Sequence, residues 1–99
     1  MWIAILRLAL LIPGARSLKD RRQAVKSLKE RIRNRFDAAC NEVGDLETWN
    51  RAYLGIALVG NEKRTLEDLA AEISRYAQND AQVQVTGFEK DFLNYGDSI

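Results

Sequence analysis

The run Trp2 to Ile12 constrains this chain most: eleven largely apolar residues are interrupted only by Arg7 and closed by the turn dipeptide Pro13-Gly14. Eleven residues are too few to span a bilayer, which asks for about 20 in a helix, and no basic stretch precedes them as in a signal peptide. The run reads as a buried β-strand. Ser17 then stands as a helix N-cap with Asp20 three residues on, a variant of the capping box whose carboxylate suits the positive end of the helix. Leu18, Val25, Leu28 and Ile32 recur on one side of that helix, which should run to about Phe36.

Asp37 to Val43 reads as a short strand ending at the turn signal Gly44-Asp45, and a loop continues through Asn50. Arg51 to Asn61 is a second long strand, carrying Tyr53, Leu54, Ile56, Leu58 and Val59 before Gly60-Asn61. Thr65 is placed to cap the next helix with Asp68 at its third position, and Leu66, Leu69, Ala70, Ile73 and Ala77 form its apolar stripe. Gln82 to Leu93 alternates through Val83 and Val85 and then Phe88 and Phe92, with Gly87 as a bulge. The order predicts an α+β, ferredoxin-like βαββαβ sandwich, a four-stranded antiparallel sheet with two helices on one face. Right-handed crossovers place the first and third strands, the two most apolar, side by side in its middle. Ninety-nine residues suit one such domain, with a core over residues 1–93 and a tail over 94–99.

If Leu6, Leu8 and Leu10 face the helices, then Ile3, Ile5, Ala9 and Leu11 face away, beside Tyr53, Gly55, Ala57 and Val59, with Arg7 the only charge among them. A solvated sheet face is normally polar, so this one asks for a cover. The simplest is a second copy of the chain, a homodimer with Ile3, Ile5, Ala9, Leu11, Tyr53, Ala57 and Val59 at its interface. The alternative is the tail around Tyr95.

The chain has no histidine, which removes the usual general base and the commonest metal ligand, and it shows no nucleophile-elbow, phosphate-loop or dinucleotide fingerprint. An enzyme would have to work through carboxylates. Glu42, Asp45 and Glu47 gather around one turn and offer oxygen ligands to a hard cation, although a solvated hairpin loop is the simpler account of them. The lone Cys40 cannot form an internal disulfide and has no histidine to activate it, so it reads as a small buried hydrophobe in a cytoplasmic chain. No catalytic residue, metal or cofactor is expected, and no membrane partner.

A net charge of +1 hides a strong asymmetry. Arg16 to Phe36 carries nine basic residues against two acidic ones, whereas Asp37 to Ile99 carries five against twelve. On a helical wheel Lys29, Arg22, Arg33, Lys26 and Lys19 fall between about 20° and 100°, beside an apolar arc of about 280° to 360°. At 1.5 Å per residue that row is about 21 Å long, enough to follow a polyphosphate backbone. It could equally solubilise the domain or pair with acidic side chains such as Glu67 and Glu72. Arg21, on the apolar side, and Arg31 and Arg35, on the other flank, are better placed to clamp the helix to loop carboxylates. An RNA-recognition motif shares this fold, but the third strand, RAYLGIALV, offers only Tyr53 and lacks the aromatic spacing that reading needs.

The stretches Pro13-Gly14-Ala15-Arg16-Ser17-Leu18-Lys19-Asp20-Arg21-Arg22, Ser27-Leu28-Lys29 and Arg33-Asn34-Arg35-Phe36 resemble the signature of the bacterial YlxP-like domain of unknown function. Glu42-Val43-Gly44-Asp45, Trp49, Arg51-Ala52 and Leu54-Gly55 match its second half, while Asn50 and the segment 94–99 depart from it. The resemblance implies a ferredoxin-like fold and supplies no catalytic residues. It also implies a link to translation, since genes of this family often neighbour those for initiation factor two and ribosome-binding factor A, which is an association and not a mechanism. The resulting expectation is a non-enzymatic module contacting RNA or the ribosome through Lys19, Arg22, Lys26, Lys29 and Arg33. A dimeric protein-interaction module is the second reading, and a carboxylate-based metal enzyme at Glu42 and Asp45 the last.

Overall fold

The structure, a computed structural model, describes residues 1–44 and 48–96. The chain runs β1 (Trp2–Leu11), α1 (Leu18–Phe36), β2 (Ala39–Val43), β3 (Arg51–Gly60), α2 (Lys63–Gln78) and β4 (Gln84–Asn94). The strands form one antiparallel sheet in the order β2-β3-β1-β4, so the two most apolar strands occupy its centre as the crossover argument requires. Alternation along them sets the layers. Ala4, Leu6, Leu8 and Leu10 of β1 and Ala52, Leu54, Ile56 and Leu58 of β3 are buried under the helices. Val25, Leu28 and Ile32 of α1 and Leu66, Ala70, Ile73 and Ala77 of α2 close the core from above, each fully buried Leu or Ile contributing about 1.5–3 kcal/mol.

Local chemistry explains most boundaries. Ser17 is extended, and its Oγ accepts from the Asp20 amide at 3.2 Å while Asp20 Oδ2 accepts from the Arg16 amide at 3.1 Å, so the expected cap forms. Asp37 ends α1 in the left-handed region at φ 50°, a conformation that Asp tolerates better than most residues, and β2 consequently starts at Ala39, not at Asp37. The second helix starts earlier than Thr65: Glu62 is its N-cap, without a side-chain cap bond, and Thr65 sits within the first turn. Tertiary packing decides there, because Leu66 lies over Gly60, where a Cβ would stand only 3.2 Å from Leu66 Cδ2.

The β4 bulge falls one residue before Gly87, the position expected for it. Ala9 pairs with Gly87 and Leu10 with Val85, leaving Thr86 as the extra residue, and its hydroxyl donates to the Ala9 carbonyl at 3.2 Å. That inserted residue lets Val83 and Val85 share the inner side with Phe88 and Phe92. The strand runs on to Asn94, one residue into the expected tail, and the Tyr95 amide donates to the Met1 carbonyl at 2.8 Å. No helix of the described residues is long and apolar enough to cross a membrane.

Candidate nucleic-acid interface

The basic residues of α1 divide into those that hold the domain together and those that face solvent. Arg21 is 1% exposed; its Nε donates to the Arg51 carbonyl at 2.7 Å and its guanidinium pairs with Glu42, so one side chain ties α1 to both β3 and β2. Glu42 Oε1 is buried and forms no aligned hydrogen bond, which leaves it dependent on the charge of Arg21. Glu42 is thereby committed to an ion pair and not presented to a cation, while Asp45 and Glu47 lie outside the described residues. Among the described residues no three His, Cys, Asp or Glu side chains gather as a metal site would require.

Arg31 anchors the other flank. It pairs with Asp80 in the α2–β4 loop and donates to the Tyr76 hydroxyl at 3.2 Å, and Arg35 lies 5.1 Å from the Tyr76 ring centroid. Burial works to raise the Asp80 pKa, but the hydrogen bond from Arg31 and those from the amides of Gln82 and Val83 outweigh it, and the carboxyl titrates below its ordinary value. A carboxyl held down in the folded state contributes stability above its unfolded value of about 3.9 and loses it as pH falls through the folded value. Urea midpoints of the native chain should therefore fall more steeply below about pH 4 than those of an Asp80→Asn variant, with a constant offset between the two above about pH 6. Parallel curves through the acid range would contradict this assignment.

Arg33 belongs to the structural group as well. Its Nε donates to the Cys40 carbonyl at 2.8 Å and its Nη2 to Asn41 Oδ1 at 2.6 Å, so it satisfies the outer edge of β2, a role the wheel did not reveal. Cys40 itself is buried, and burial pushes its thiol up to about 11 against the opposing pull of Arg33 and Lys29, leaving little thiolate at neutral pH.

The part of the row not bonded to the sheet is shorter, and the exposed Arg33 continues it while engaged with β2. Lys19, Arg22 and Lys26 are exposed and Lys29 is half-buried beside them, at intervals of three or four residues along α1. Lys26 Nζ is 4.0 Å from Glu30 Oε1, a solvated contact of little strength. Among the described residues no ion pair joins this row to Glu67 or Glu72. The row is about 15 Å long from Lys19 to Lys29. A cleft of about 490 Å³ opens near its start, lined by Pro13, Gly14, Gln23 and Gln82, and among the described residues its only ionisable lining group is Asp20, already engaged in the helix cap.

The opposite face of the sheet carries Ile3, Ile5, Ala9, Leu11, Tyr53, Ala57 and Val59, all at least partly exposed, as the alternation predicted. Its polar centre was not foreseen in full. Arg7 Nε donates to Glu89 Oε1 at 2.9 Å and its guanidinium lies 4.9 Å from the Tyr53 ring centroid.

The sequence profile of the family described as "Protein of unknown function (DUF503)" matches residues 3–90, which takes in β1, the whole of α1 and most of the sheet. The chain belongs to the DUF503 family. A relative, "Uncharacterized protein YlxP" of Bacillus subtilis (strain 168), is 28% identical over 76 residues, covering 77% of this chain and 83% of that protein. Among solved structures, the de novo designed protein Ferredog-Diesel aligns over 93% of this chain and 84% of its own at 12% identity and a TM-score of 0.45, a likeness too distant to bear on function. The DUF503 match contains Lys19, Arg22, Lys26 and Lys29 together with their anchors Arg21, Arg31 and Arg33. It ends inside β4, so Leu93 of the open face lies beyond it.

Proposed function

We propose that this DUF503 domain is a non-enzymatic binding module that holds the phosphate backbone of structured RNA, ribosomal RNA included, along α1. The observation that carries the reading is the exposed row Lys19, Arg22 and Lys26, continued by Lys29, on a helix fixed to the sheet by Arg21 and Arg33 and to the α2–β4 loop by Arg31. A rigid row of cations recognises a charged track, not a base sequence, and the link to translation implied by the family resemblance favours RNA among polyanions. The aromatic content of the sheet face gives no stacking platform for bases, which again favours contact through phosphate.

Fluorescence anisotropy with a labelled RNA stem-loop tests this reading across a salt series. Four phosphate contacts predict a log–log salt slope of about −3, with little difference between unrelated stem sequences. No binding at about 50 mM salt, or a slope near zero, would overturn it.

A further inference from the structure

The register of the sheet gathers exposed apolar side chains on the face away from the helices. Leu93, Ile3 and Val59 form one cross-strand row, Ile5 and Ala57 the next, and Ala9, Tyr53 and Val43 another. Val59 is 66% exposed, Ile5 49% and Leu93 45%. Side chains of this size exposed together mark an interaction surface, because an open antiparallel sheet normally turns polar residues to water. Both helices pack on the other side, and Tyr95, the residue placed to fold back over the patch, is exposed.

We infer that this face is the interface of a homodimer, its occupant a second copy of this chain. Size is the first argument. Four strands about 4.8 Å apart, five to eleven residues long, at about 3.3 Å per residue present about 570 Å², so two copies face to face bury about 1,100 Å², near the lower end of the range of specific interfaces. Charge is the second. Arg7 pairs with Glu89 within the same face and lies against Tyr53, while the exposed Asp91 stands beside Ile5, so among the described residues the centre of the face holds no unpaired positive charge. A polyanion would therefore find no positive field there, whereas a two-fold contact sets the apolar rows of one copy against those of the other. Shape agrees: a Cβ on Gly55 would stand 3.1 Å from Val43 Cγ1, so the missing side chain at Gly55 makes room for Val43 on this face. Association through this face leaves α1 of both copies open on opposite outer sides, and the inference stands independently of what α1 binds.

Sedimentation velocity over about 1 to 100 µM protein is the test. The native chain should sediment at twice 11.3 kDa at the upper end of that range, while Ile5→Lys and Val59→Lys, folded by circular dichroism, should sediment as the 11.3 kDa chain with dimer affinity reduced at least about tenfold. Glu67→Lys, on the helical side, should leave the dimer unchanged. A second readout needs no variant: on dilution of the native chain, methyl resonances of Ile5 and Val59 should shift while those of the buried Ile32 and Ile73 stay fixed. A native chain that is monomeric throughout, a dimer indifferent to both lysines, or methyl shifts that do not follow concentration would each overturn the inference.

Discussion

Replacing Arg21 with methionine should lower the folding free energy by about 3 kcal/mol, far more than a surface arginine is worth. Methionine fills much of the same volume, so the loss is electrostatic: Glu42 Oε1 is left buried without its cation and the Arg51 carbonyl loses a donor. The Glu42 side chain keeps 21% exposure, which places the cost at the lower end of the range of about 3–5 kcal/mol for breaking a buried pair. Removing both charges together is a different case. The double variant Arg21→Met, Glu42→Leu should recover most of the loss, because the pair as a whole contributes little beyond an apolar substitute. Urea titrations of the two single variants and the double variant measure this directly. A loss below about 1 kcal/mol for Arg21→Met would show that Arg21 does not hold α1 to the sheet.

Charge reversal on the exposed row should leave the fold intact and remove the binding. Lys19→Glu, Arg22→Glu and Lys26→Glu lie on the solvent side of α1, where substitutions cost about 0.5 kcal/mol or less each. Three of the four proposed phosphate contacts disappear, so the salt slope should fall by about two, from about −3 to about −1, and affinity for an RNA stem-loop by at least about 100-fold at low salt. Arg33→Ala separates the two kinds of arginine. It strips donors from the Cys40 carbonyl and Asn41 and should lower stability at the β2 edge while leaving RNA affinity nearly unchanged. An equal loss of affinity in Arg33→Ala would show that this exposed arginine serves the row as well as β2.

The strand order, the Ser17 cap and the phase change across Gly87 were legible in the sequence because each rests on periodicity or on a local hydrogen bond. The placement of Arg21 on the apolar side of the wheel likewise announced a clamp, since a charge buried there requires a partner. Arg33 was not legible in the same way. Its angle on the wheel matches its neighbours, and only the position of β2 beside the last turns of α1 gives its guanidinium a carbonyl to reach. The same limit applies to Glu89 and Leu93, whose contribution to the open face depends on how β4 registers against β1 after the bulge, a long-range choice that alternation alone does not fix. Thr65 offered a sound local cap, yet the packing of Leu66 over Gly60 carried the helix start back to Glu62.

Cosedimentation with purified ribosomal subunits, native chain against the Lys19→Glu, Arg22→Glu, Lys26→Glu variant, tests most directly whether α1 is the functional surface. The account predicts that the native chain pellets with a subunit at low salt, is released as salt rises, and that the folded variant stays in the supernatant throughout. A variant that pellets as well as the native chain, or a native chain that never pellets at low salt, would contradict it.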